Sequence, residues 1–183
     1  MKKALAISLL AALPLAASPT LAQANMAGFI GFQLGATSIS TSPDIDADTA
    51  ASFGIKGGVH LHNLRIYADA TATSWDDADK FSFTGNADYI FPLTRQAGLF
   101  VGGHFGHVSM EVDGYRLYSD DDETGLIYGA QAGGLFNFSG SLKTRGLEAE
   151  LGIRYSRTSL DWFDGHLELD SSTRFYAGLN YRF

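Results

Sequence analysis

Three sets of residues in this chain have the types and spacing for chemistry. In His107-Val108-Ser109 an imidazole and a hydroxyl are spaced as a base and nucleophile could be, with Glu111 or His104 nearby to orient the base. A second set is acidic: Asp44, Asp46 and Asp48 alternate, Asp76, Asp77 and Asp79 cluster, and Asp120, Asp121, Asp122 and Glu123 run together. Carboxylates at that density can ligate calcium or magnesium. None of these stretches matches a twelve-residue calcium loop with its central glycine and terminal glutamate, and solvated surface loops explain them more simply. The third set is Lys56, Arg65, Asp69, Asp88, Glu148, Glu150, Arg154 and Arg174, four charges of each sign on the polar sides of alternating segments. A three-residue match arises often by chance, so the first set assigns no catalytic residue. No metal ligand and no cofactor motif is assigned either, and the third set turns on what positions it.

The positioning elements are strands. From Thr173 every second residue is Thr173, Phe175, Ala177, Leu179, Tyr181 and Phe183, while Arg174, Tyr176, Gly178, Asn180 and Arg182 lie between them. This is the period of a strand with two different environments. The same alternation recurs in Ile30–Thr37, Ala51–Leu61, Leu64–Thr73, Phe81–Phe91, more weakly in Leu99–Phe105, then in Thr124–Phe136 and Leu147–Ser156. Eight strands result. Long polar connections at 40–50, 74–80, 109–123 and 157–170 alternate with short ones at 62–63, 92–96 and 137–146. An even antiparallel set with long loops at one end and short turns at the other is the plan of an up-and-down barrel.

Composition agrees with a sheet. Glycine is abundant at 21 residues, phenylalanine and tyrosine are common, and proline is scarce. With no cysteine, neither disulfides nor thiol chemistry contributes. Lys2 and Lys3, the apolar run from Ala4 to Ala17 and small residues before Ala22 read as a secretory signal over residues 1–22. That leaves one domain over 23–183, and loss of the two lysines takes the formal net charge from −7 to −9. So acidic a chain lacks the electrostatic footprint of a nucleic-acid binder. Outside Asp69, Asp88, Glu148 and Glu150, every acid falls in the long connections.

Alternation alone leaves open which face is inside, because a soluble eight-stranded barrel would point its apolar face inward. The charge balance favours a closed polar interior, where charges must pair. An apolar terminal Phe183 on the last strand suits lipid. The whole mature chain resembles the small eight-stranded outer-membrane family that includes outer-membrane proteins A and X, through the leader, the eight segments and the ending Phe175–Phe183. The resemblance implies an all-β, eight-stranded antiparallel transmembrane barrel in the outer membrane of a Gram-negative bacterium. Chain ends and short turns would then lie in the periplasm, and four acidic loops outside.

By the same resemblance, Phe175, Leu179, Tyr181 and Phe183 form the signal read by the barrel assembly machinery. Outer-membrane lipid and lipopolysaccharide are further expected partners, beside a surface ligand that the loops do not identify. An interior of this size fills with side chains, so the eight charges are expected to neutralise one another in one hydrogen-bonded network. Inward glycines (Gly54, Gly58, Gly102, Gly129, Gly133, Gly152 and Gly178) would leave them room. Trp75 is read as part of an interfacial aromatic girdle. The expected role is non-enzymatic, structural or surface-interacting, by a monomer. The competing readings are a narrow gated pore and a lipid A-modifying enzyme. Barrels that deacylate lipid A place a His-x-Ser pair on a late strand, where this chain has Arg157 in Tyr155–Ser159.

Overall fold

The computed structural model describes residues 26–39, 48–75, 78–112, 123–160 and 171–183. The expected leader lies outside the described residues, as do Asp44, Asp46, Asp76, Asp77, Tyr115, Tyr118, Asp120 to Asp122, Trp162 and Phe163. Eight strands follow one another: β1 (Met26–Ile39), β2 (Asp48–Leu61), β3 (Leu64–Ser74), β4 (Ala78–Pro92), β5 (Ala97–Val112), β6 (Glu123–Asn137), β7 (Gly146–Leu160) and β8 (Ser171–Arg182). Each pairs antiparallel with its sequence neighbours, and β8 returns to β1 in the register Phe29↔Arg182 to Ile39↔Ser172. The sheet is a closed barrel without a free edge.

Burial is inverted relative to a water-soluble protein. The outward row is apolar and exposed: Ile30, Leu34, Phe53, Phe83, Phe105, Leu151 and Phe175 lie between 51% and 67% exposed. The inward row holds Lys56, Arg65, Asp69, Asp88, Glu148, Glu150, Arg154 and Arg174, all buried. Lipid can cover such an exterior, whereas water would leave a belt of large apolar side chains unsatisfied.

The short turns are tightly built. His62 takes the left-handed φ of 56° between β2 and β3. In the turn before β7 Gly140 takes a φ of 96°, Gly146 at the start of β7 takes 132°, and Asn137 Oδ1 accepts a bond from Ser139 N at 2.7 Å. At the same end, the Phe183 N–H donates to Gly28 O at 2.9 Å, fastening the last residue to β1.

Several strands run beyond the segments expected from alternation. β2 starts at Asp48, β4 at Ala78, β5 continues to Val112 and β7 to Leu160. The residues involved are polar and mixed, so they carry no lipid-facing alternation. They still pair, because a barrel strand needs only about 9–11 residues to cross the bilayer and these run on past it. One consequence is that Lys80, expected in a loop, sits in β4 on the face of Ser82 and Thr84.

The interior is also less uniformly polar than expected. Ile90, Phe100, Leu135 and Tyr176 pack together inside with Leu142 from the turn between β6 and β7. Nearer the long-loop end, Val108 and Ile127 form a smaller apolar contact.

The polar lumen as candidate functional site

Because β3 and β7 lie four strands apart in a ring of eight, bonds between them cross the full lumen. Arg65 on β3 reaches Glu150 on β7, with Nη1 donating to Oε2 at 2.7 Å and Nη2 to Oε1 at 3.3 Å. Arg154 on β7 reaches back to Asp69 on β3, Nη2 to Oδ2 at 2.7 Å. These two bridges hold opposite walls together.

Each bridge is elaborated by its neighbours. Glu150 also accepts from Lys56 Nζ at 2.6 Å, from the Tyr176 hydroxyl at 3.0 Å and from Asn180 Nδ2 at 3.0 Å. Arg65 turns its Nε and Nη2 edge to Asp88 Oδ2 at 3.0 and 2.6 Å. Its guanidinium carbon lies 4.9 Å from the ring centres of both Tyr67 and Phe100, adding cation–π contacts to a group no water reaches. Arg154 donates besides to Asn86 Oδ1 at 2.9 Å, and Asn86 Nδ2 donates to Asp69 Oδ2 at 3.0 Å.

Gln131 joins the two bridges. Its Oε1 accepts from Arg154 Nε at 2.9 Å, while its Nε2 donates to Asp88 Oδ1 at 2.6 Å and to Tyr67 Oη at 2.7 Å. Only an amide can do this, since one end must accept and the other donate. Its place on a polar face among glycines was visible in the sequence, but its linking role was not.

The outlying members attach more loosely. Glu148 Oε1 accepts from Asn180 Nδ2 at 3.4 Å, and Arg174 Nη1 donates to Thr71 Oγ1 at 3.1 Å. Neither forms an ion pair among the described residues, so the eight named charges are brought into one region but unequally paired. The balance also differs from four against four. Lys80 and Arg182 share the inward face, giving six cations to four anions among the residues whose side chains are described.

Glycine makes room for the network, mostly for rings and carboxylates. A Cβ at Gly152 would stand 2.5 Å from Tyr176 Cζ, and one at Gly133 would meet the Phe100 ring at 2.7 Å. At Gly102 it would collide with the Asp88 carboxylate.

The other candidate sets fare differently. His107 is exposed on the outer wall with Ser109 half-buried on the same face, and no bond joins them among the described residues. The histidine that does meet a hydroxyl is His104, whose Nε2 lies 2.9 Å from Ser156 Oγ inside the lumen. Among the described residues no group of three acids or histidines could hold a metal. Asp79, read with the loop acids, is an exposed β4 residue accepting from Ser74 Oγ at 2.6 Å. Trp75 is half-buried just past the end of β3. Of the four residues expected to form an assembly signal, Phe175, Tyr181 and Phe183 are exposed on the outer wall and Leu179 is half-buried there.

A closed eight-stranded barrel, apolar without and charged within, is an integral outer-membrane protein. Residues 8–183 match the sequence model of the outer membrane protein beta-barrel domain, and the chain belongs to that family. No curated protein matches it in sequence. Among solved structures it is similar to outer membrane protein H (OprH) of P. aeruginosa, at 29% identity and a TM-score of 0.61, covering 86% of this chain and 99% of that one. Neisserial surface protein A (NspA) aligns with a TM-score of 0.69 at 18% identity over 85% of this chain and 97% of that one. The N-terminal barrel domain of P. aeruginosa OprF gives 0.53 at 11% identity, over 85% and 97%. The two likenesses below 25% identity speak for the fold alone. The protein is located in the outer membrane of a Gram-negative bacterium.

Proposed function

We propose that this barrel is a non-enzymatic envelope protein, sealed inside, whose interactions with the surroundings pass through its four acidic loops. The observation that supports this reading is the pair of bridges between β3 and β7, Arg65–Glu150 and Arg154–Asp69, tied through Gln131 across the lumen. A conducting path would have to break charge-assisted bonds whose partners are buried, and leaving one such charge unpaired costs about 3–5 kcal/mol. The six paired charges, Lys56, Arg65, Asp69, Asp88, Glu150 and Arg154, therefore act as structure, holding the walls at a fixed separation. In the same reading residues 1–22 are a cleaved leader, and Phe175, Leu179, Tyr181 and Phe183 present the final strand to the assembly machinery. The mature barrel is a monomer in contact with lipopolysaccharide.

Conductance of the purified barrel in planar bilayers tests the sealed lumen, with a flat baseline expected. Steady single-channel steps that vanish in Arg154→Gln would replace this reading with the gated pore. Loop recognition is tested by pull-down of surface partners with intact and loop-deleted barrels. A partner set unchanged by removing all four loops would refute it. Mass spectrometry of lipid A from cells with and without the protein should show the same acyl pattern. A lost acyl chain that depends on His107 would identify an enzyme.

A further inference from the structure

Toward the periplasmic end Lys56, Arg65 and Arg182 face Asp88, Glu148 and Glu150. Toward the long-loop end Arg174 lies with Lys80 and Arg154 near Asp69, which Arg154 engages. Arg174 is 6% exposed and spends Nη1 on the neutral Thr71 hydroxyl. Its Nε and Nη2 meet no acceptor, although both are buried. Those two atoms form the side-on fork of a guanidinium, the edge that grips two oxygens of a carboxylate or phosphate. Arg65 turns the same edge to Asp88 in this very barrel, with both nitrogens on one oxygen, Oδ2.

The surroundings of that free edge are built from donors. Arg174 lies over Gly35, where a Cβ would stand 3.1 Å from Nε, and Gly35 pairs with Ser52 on β2. Ser52 Oγ is buried without a partner. Gln33 Nε2, also buried and unpartnered, lies over Gly54, where a Cβ would meet it at 2.9 Å and Thr71 Oγ1 at 2.8 Å. Thr37, which pairs with Arg174 across the β1–β8 seam, adds a further unpartnered hydroxyl. A guanidinium fork, an amide N–H and two hydroxyls thus stand at neighbouring positions of β1, β2 and β8, around Gly35 and Gly54. A buried charge left this way is costly unless something complements it.

We propose that the outer half of the lumen is a binding site for a small inorganic oxyanion of the phosphate or sulfate type. Arg174 holds two of its oxygens through Nε and Nη2, and Ser52 and Gln33 donate to the others. Lys80 contributes charge from the facing wall without direct contact. The site is separate from recognition by the loops, and a sealed lumen does not exclude it, since the anion enters from the outer end and leaves the same way.

The test is a titration of inorganic phosphate into the refolded full-length mature barrel in detergent micelles, followed by NMR of the arginine Nε–Hε groups and glutamine side-chain amides. Saturable shifts of Arg174 Hε and the Gln33 amide are expected, reproduced by sulfate, with chloride at matched ionic strength at least about tenfold weaker because it cannot fill a two-toothed fork. Arg174→Lys keeps the charge and removes the fork, so binding should fall at least about tenfold. Should that variant fail to fold, Ser52→Ala should weaken binding while heat-modifiable migration stays normal. No saturable response at tens of millimolar phosphate, given this geometry, or an equal response to chloride, overturns the proposal. So does an Arg174 Hε already engaged and indifferent to phosphate, which would mean that a carboxylate of the chain itself fills the fork. A phosphate shift confined to micelles containing lipopolysaccharide would assign the binding to lipid phosphate and overturn it as well.

Discussion

Glu150 is the residue on which the lumen most depends. It is fully buried and accepts from Lys56, Arg65, Tyr176 and Asn180 with both oxygens. Glu150→Gln preserves the shape, removes the charge and turns an amide N–H toward Arg65, which can only donate. Arg65 keeps Asp88, but Lys56 loses its only ion pair among the described residues. Breaking a buried pair from one side costs about 3–5 kcal/mol, and that is the expected loss of stability. The matching change Lys56→Met leaves Glu150 with Arg65 and should cost less. In the double variant the stranded ammonium is gone, so the two effects should fall short of their sum by at least about 1.5 kcal/mol. Urea unfolding in lipid vesicles, read by heat-modifiable electrophoretic mobility, measures all three. Additivity within about 0.5 kcal/mol would refute the pairing. A Glu150→Gln loss below about 1 kcal/mol would show that water, not this network, solvates the lumen.

Other outcomes follow from single positions. Leu151, 67% exposed on the outer wall, should cost about 2–4 kcal/mol as Leu151→Arg if it lies at the bilayer midplane. An unchanged folding equilibrium in vesicles would mean that this wall faces water. Gly152→Ala drives a methyl into the Tyr176 ring and should cost about 1–3 kcal/mol, with the loss reduced when Tyr176→Leu is added. Equal losses in both backgrounds, by the same urea assay, would place the strain elsewhere. Deleting Phe183 removes the N–H that binds Gly28 O and the ring that covers Gly28, so less folded barrel should reach the outer membrane. Wild-type yield by heat-modifiable migration of outer-membrane fractions would argue against a role in assembly.

The fold was legible because a barrel wall is a period-two object, and this chain keeps that period wherever lipid touches it. Ile30 to Ala36 and Phe175 to Phe183 announce themselves by alternation alone. Legibility ended where the apolar outer row ended: Lys80 and Asp79 belong to β4, yet there the outer face carries exposed Asp79, so both faces are polar and alternation carries no information. The network's members were legible as inward charges, since position parity placed each of them. Their pairings were not, because Arg65 and Glu150 lie 85 residues apart and meet across the lumen, not along a ladder. Ile90 and Leu135 were hidden for a different reason. An apolar residue at an inward position breaks no local rule, and only the closed cylinder shows that they fill its periplasmic end.

The bridges between β3 and β7 also bear on how the barrel is made. While the sheet is open, Arg65 on β3 stands far along the ribbon from Glu150 on β7, and Arg154 on β7 far from Asp69 on β3; only Asp88, beside Arg65 on β4, is already at hand. Lipid is a poor solvent for either half. A half-wound sheet is therefore penalised in the bilayer until β8 meets β1 and the walls come within a guanidinium's reach. The struts then form together, and the charges that oppose insertion of the ribbon reward completion of the cylinder. Such a polar core works as a closure check, letting the barrel settle in the membrane only as a whole.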